Sequence, residues 1–190
     1  DSVFLKANVD KVSVIQGEQL RYSLKLYRRV QLMSNLELGL PSFEGFGVEK
    51  LGRDTNEKIE VFEGKRYYVM ELTNRLLYPL KSGNILIKPA EVGIMISLFD
   101  GRRVLKTNPI VVKVNTLPEK KRPLQFNGAV GDFSLIIDQA SYSVTANTPL
   151  TMKVTLEGTG NLKTIQDLQF QEKSNYKLYK SNIEEYLDSS

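Results

Sequence analysis

The chain has 190 residues, 41% of them hydrophobic, with 26 Lys and Arg against 22 Asp and Glu and a formal net charge of +4, the balance of a folded soluble protein rather than a disordered one. It contains no His, Cys or Trp, so zinc and iron–sulfur sites of the usual kind and any Ser-His-Asp or Cys-His device are excluded. The positive charge is small and its pairs, Arg28-Arg29, Lys65-Arg66 and Arg102-Arg103, are scattered, unlike the clustered face of a nucleic-acid binder.

Alternation with period two runs along the chain. Leu20, Tyr22, Leu24 and Leu26 point one way and Arg21, Ser23 and Lys25 the other, as in a half-buried strand. Leu36, Leu38 and Leu40 alternate again up to Pro41, which cannot donate to a sheet ladder. Phe43 and Phe46 flank Glu44-Gly45 and are expected to plug one end of the fold. Ile59 and Val61 lead to a hairpin turn at Glu63-Gly64. A strand follows through Tyr68, Met70, Leu72, Leu76 and Tyr78; on that parity Tyr68 is core and Tyr67 faces outward. Ile85 and Ile87, then Val92, Ile94, Ile96 and Leu98, then Ile110, Val112 and Val114 supply further strands, with Asp100-Gly101 as a tight turn. Ile183, Tyr186 and Leu187 alone have helical spacing, and a frayed turn fits them as well as a helix.

The first of these patterns recurs. Val12, Val14, Leu20, Tyr22, Leu24 and Leu26 are matched by Tyr142, Val144, Leu150, Met152, Val154 and Leu156, each 130 positions later (142 − 12 = 130). A repeat of this kind decides architecture. The expectation is an all-β protein of tandem immunoglobulin-like antiparallel β-sandwich domains. The first spans residues 1–117, a proline-bracketed charged linker spans 118–124, and residues 125–190 hold the N-terminal part of a second, apparently truncated sandwich. The chain begins at Asp1 rather than Met, so any leader is expected to have been removed. No apolar run approaches the roughly 18–20 residues of a membrane-crossing helix.

The motifs with chemical potential each have a plainer reading. Gly158-Thr159-Gly160-Asn161-Leu162 lacks the third glycine and the following helix of a phosphate loop, so a strand-ending turn is expected. Gly128-Ala129-Val130-Gly131 invites comparison with an RNA-clamping loop, but its surroundings are β throughout. Asp54, Glu57, Glu60 and Glu63 could supply a carboxylate pair or oxygen ligands for calcium, yet charged hairpin edges are normal. No catalytic, metal-binding or cofactor-binding residues are assigned. Tyr67-Tyr68, Tyr176, Tyr179 and Tyr186 are the candidates for an aromatic platform.

Seven segments in order carry a resemblance. They are Gly17-Glu18-Gln19-Leu20, Leu40-Pro41-Ser42-Phe43-Glu44-Gly45-Phe46, Tyr78-Pro79-Leu80-Lys81-Ser82-Gly83, Ile87-Lys88-Pro89-Ala90-Glu91-Val92, Leu117-Pro118, Phe126-Asn127-Gly128-Ala129-Val130-Gly131-Asp132-Phe133 and the turn at Gly158. Together they resemble the BatD, or oxygen tolerance, family of bacterial proteins over nearly the whole chain. The resemblance implies an exported periplasmic protein, anchored in the inner membrane by a segment outside these residues. It implies partners among von Willebrand A-type membrane proteins and, indirectly, a MoxR-type AAA+ ATPase, in a complex linked to aerotolerance and stress survival. It supplies no catalytic residues to carry over.

The expected function is therefore a non-enzymatic interaction or scaffold module without cofactor or nucleic acid, docking through sheet edges or end loops. Val30, Leu32 and Met33 are candidate partner contacts, because apolar residues after Arg28-Arg29 lack an obvious core role; continuation of the strand is the alternative. Tyr67, expected outward, joins them. A carbohydrate-binding β-sandwich and a surface adhesin module are the rival readings.

Overall fold

The computed structural model describes residues 1–33, 35–97, 99, 101–120, 122–124, 126, 128–139, 143–165, 175–179 and 181–186. Among them the chain forms β1 (Val3–Val9), β2 (Ser13–Ile15), β3 (Leu20–Arg28), β4 (Glu37–Gly39), β5 (Phe46–Lys50), β6 (Lys58–Phe62) and β7 (Lys65–Pro79). These are followed by β8 (Gly83–Ile87), β9 (Glu91–Met95), β10 (Arg102–Lys106), β11 (Ile110–Asn115), β12 (Gly131–Gln139) and β13 (Met152–Gly160), then a 3-10 turn at Leu162–Thr164. The protein is all-β, with the architecture of an immunoglobulin-like sandwich. Leu98, Asp100, Tyr142 and Leu187, which carried expectations above, lie outside the described residues. Ile183 and Tyr186 are exposed and not helical.

One sheet has the order β1-β3-β7-β5, with β6 also paired to β7. The strands β10-β9-β4 and β2-β11-β8 face it. Between them lies one core: Leu20, Tyr22, Leu24 and Leu26 from β3 meet Ile85, Ile87, Val92, Ile94, Val112 and Val114. The alternation seen in the sequence is the alternation of faces here, and each such side chain contributes about 1.5–3 kcal/mol on full burial. Phe43 and Phe46 close the core as expected, Phe43 meeting Tyr22 edge-on at 4.9 Å. The Glu63-Gly64 turn also forms, with φ of 48° and 74°, the left-handed pair that a two-residue hairpin demands.

One pairing departs from the antiparallel expectation. β2 and β11 run parallel, Lys113 to Ser13 through Asn115 to Ile15. The two lie at opposite ends of this sandwich in sequence, so no hairpin constrains their direction.

β7 holds the main surprise. Leu24 pairs with Thr73, but Lys25 pairs with Glu71, so Leu72 is an extra residue in β7. Such a bulge shifts side-chain parity by one position. Above it Leu77, Arg75 and Thr73 share the core face of Leu20, Tyr22 and Leu24; below it Met70 and Tyr68 do, beside Leu26 and Arg28. Tyr67 and Val69 consequently point to the sheet's other face. That face is covered: Phe4, Tyr27, Phe62, Tyr67 and Val69 form a second cluster there. The expectation for Tyr67 is corrected accordingly. It is 3% exposed, whereas Tyr68, on the core parity but beyond the end of the opposing sheets, is 47% exposed.

The repeat is visible in the pairing. Val3 pairs with Arg28, and Phe133 pairs with Gly158, each 130 positions later (3 + 130 = 133; 28 + 130 = 158). β12 and β13 therefore reproduce the register of β1 and β3. Gly158 is required by this hairpin rather than by a ligand, since a Cβ there would lie 2.0 Å from the Asp132 carbonyl oxygen. The 3-10 turn that follows carries an Asn161 side chain accepting from the Lys163 amide at 3.1 Å, so the glycine motif ends a strand. Gly128-Ala129-Val130-Gly131 leads into β12, and Val130 packs beside the turn at Gly17.

Candidate interaction surface

The long strand β7 outruns the sandwich at its N-terminal end, and β6 folds back along it as an arm. Lys58 through Phe62 pair with Val69 through Lys65, and β6 has no described strand on its other side. Period-two alternation gives this arm two unlike faces.

The inner face is a sealed aromatic cluster. Phe4 stacks on Tyr27 at 4.8 Å and meets Tyr67 edge-on at 5.2 Å and Phe62 at 5.2 Å. Tyr67 donates its hydroxyl to the Asp1 carbonyl at 2.9 Å, and Tyr27 donates to Glu60 at 2.8 Å. Lys25 also reaches Glu60 at 2.9 Å and holds that carboxyl below the ordinary range, against the opposing pull of burial. Burial, aided by Glu60, pushes the Tyr27 phenol up to about 12.

The outer face carries apolar side chains that are exposed among the described residues, with Arg66 opposite Val61. Ile59 and Tyr68 are direct cross-strand partners, with Val61 two residues along. Ile59 is 65% exposed and Val61 is 68% exposed, although both are strong strand formers. Arg28 connects this face to the segment after β3. It forks onto Glu57 with two bonds of 2.9 Å, donates to the Val30 carbonyl at 3.1 Å, and lies 5.3 Å from the Tyr68 ring centre.

The four residues expected from sequence separate into three environments. Val30 and Leu32 are partly buried against the main core, after β3 has ended, so the segment is neither a free loop nor a strand continuation. Met33 is exposed while its amide bonds the Met95 carbonyl at 2.8 Å. Tyr67 is interior. The residues missed were Ile59, Val61 and Tyr68, and the available signal was Tyr27: its odd position within an even-numbered apolar run marks a second buried face.

The acidic run does not converge. Asp54 is paired with Lys58 at 2.8 Å, Glu57 with Arg28, and Glu60 with Lys25 and Tyr27. The hydrogen bond from Lys58 draws the Asp54 pKa below its usual value, the reverse of what a general acid needs. Among the described residues no three acidic groups gather in a way that could hold a metal ion, and no helix is long and apolar enough to cross a membrane. Tyr179 and Tyr186 are exposed, and the Tyr186 hydroxyl donates to Glu184.

No curated protein matches the chain. The family model for a BatD DUF11 like domain matches residues 7–114, from β1 to β11 and more than half of the chain (114 − 7 + 1 = 108 of 190). That stretch contains the main core apart from Val3 and Leu5, the bulge and the β6–β7 arm. The chain belongs to the BatD family, the aerotolerance-related family that its ordered motifs resemble.

Proposed function

We propose that this chain is a non-enzymatic interaction module of a membrane-anchored, periplasmic BatD-type complex, and that the β6–β7 arm is its principal docking element. The observation that carries this reading is the row of Ile59, Val61 and Tyr68, uncovered beside a strand with an open edge. An unpaired edge offers main-chain hydrogen bonds for affinity, and the adjoining apolar face offers choice of partner. In this reading its partners are of the von Willebrand A type, with a MoxR-type ATPase acting through them, as the resemblance of its ordered motifs implies.

The experiment is affinity capture of the full-length protein from gently extracted membranes, with and without the paired change Ile59→Glu and Val61→Lys. Recovery of a von Willebrand A-type protein that is lost in the variant, whose melting temperature stays within a few degrees of the parent, is the expected result. No such partner from the parent overturns the complex; equal recovery with both overturns the arm. Saturable saccharide binding through exposed tyrosines would favour the carbohydrate reading instead.

A further inference from the structure

A second feature lies on the flank of the sandwich, away from the arm. β5 pairs with β7 on one side and has no described strand on the other. The registers set Tyr22, Arg75 and Lys50 in one row across β3, β7 and β5, all on the same face of the sheet. Directly opposed like charges such as Arg75 and Lys50 destabilise a sheet unless an anion lies between them.

None of the described residues supplies that anion. Lys11, Lys25, Arg28, Lys58, Lys88 and Lys106 each have a carboxylate partner, but Arg75 and Lys50 have none among the described residues. Arg75 Nε is buried without an acceptor, and so is the hydroxyl of Tyr22 in the same row. An arginine N–H withdrawn from water without a partner is costly, which calls for an explanation. The acidic residue of β5, Glu49, pairs with Leu76 on the opposite face, where it meets Lys163 and the Tyr78 hydroxyl.

We infer that Arg75 and Lys50 form a carboxylate site for an acidic, extended segment of a protein partner that adds to the open edge of β5. A guanidinium fork matches a carboxylate with two parallel hydrogen bonds, and the lysine supplies a second charge. Val48, half exposed, sits on the same face two positions from Lys50. The geometry thus selects an acidic and an apolar residue two apart on the incoming strand, their Cβ atoms about 5 Å from Lys50 and Val48. This inference rests on the interaction-module reading but uses a different strand from the arm.

The test follows the Arg75 Nε–Hε resonance of the nitrogen-15-labelled chain at fixed ionic strength. The probe is the acetylated, amidated peptide Thr-Val-Thr-Glu-Thr-Val-Thr. A saturable shift is expected with it and not with the same peptide carrying Gln for Glu. Lys50→Met should weaken binding about tenfold. Arg75→Met, or Arg75→Lys should the first fail to fold, should remove or similarly weaken the effect, read from backbone amides of β5. Sodium acetate should compete better than sodium phosphate. A shift no larger than sodium chloride gives (a solvated arginine only), equal response to both peptides, or better competition by phosphate would each overturn the site. Intact partner capture with no peptide response sinks this site alone, while peptide binding without partner capture sinks the complex alone.

Discussion

Tyr67 and Tyr68 are neighbours in sequence and opposites in environment. Tyr67 lies among Phe4, Tyr27 and Phe62, so Tyr67→Ala should cost about 3–5 kcal/mol. Tyr68→Ala removes an exposed ring and should cost about 1 kcal/mol or less. Urea unfolding of both variants checks this, and a reversed order would sink the assignment of faces. Three other phenols report on pH. Burial is the leading cause that pushes Tyr22, Tyr27 and Tyr78 to about 12 from an ordinary value of 10. Their folded pKa is raised, so their contribution to stability is complete below pH 10 and is lost as the pH climbs through 10 towards 12. In that window each should lower the unfolding free energy by about 1.4 kcal/mol per pH unit. The Tyr22 hydroxyl has no partner among the described residues. Tyr22→Phe should therefore leave stability at pH 7 unchanged or slightly higher, while making the alkaline slope shallower. An unchanged slope, measured by urea titration at pH 8, 10 and 11, would contradict the burial.

At the scale of elements, the bulge at Leu72 does the most. It lets one strand serve two cores, with Leu77 and Leu72 in the main sandwich and Val69 and Tyr67 in the aromatic cluster. Deleting Leu72 would give an unbroken ladder with every other pair kept, Val69 still opposite Tyr27 and Tyr67 on the same face, but would take a buried side chain out of the main core. The expected outcome is a protein that still folds but is less stable by about 2–5 kcal/mol, with a lowered melting temperature. A deletion variant with the parent's melting curve and near-ultraviolet circular dichroism would show that the bulge is dispensable. The strands themselves were legible, because Leu20 through Leu26, Val92 and Ile94, and Val112 and Val114 alternate as their faces do. Parity across the bulge was not, because one inserted residue leaves no mark in a run as evenly apolar as residues 67–78.

At the scale of the molecule, the two repeats differ in what surrounds them. β3 lies between β1 and β7 in a sheet backed by a full core. β13 pairs with β12, and Leu135, Ile136 and Ile137 are exposed on that hairpin. A two-stranded ribbon of this kind is marginally stable by itself. Amide exchange in residues 131–139 and 152–160 should accordingly be at least about tenfold faster than in β3 and β7. Equal protection, measured by hydrogen–deuterium exchange on the whole chain, would show that the hairpin is covered in solution. Among the described residues, Lys163 on Glu49 and Val130 against Gly17 are contacts between this part and the first sandwich.

The sequence by itself determined the all-β class, the strands that alternate cleanly, the turn at Glu63-Gly64, the repeat of 130 residues and, through its ordered motifs, the family. These are local or periodic properties, written in the spacing of apolar residues and in the few residues that tolerate positive φ. Only the tertiary structure decided which side chains of the arm are covered and which cations remain without partners. Both depend on registers between strands far apart in the chain. Tyr67 is buried because Phe4, more than sixty positions earlier, lies over it, and Arg75 stands beside Lys50 because β5 and β7 align as they do. No periodicity within one strand encodes what its neighbour brings.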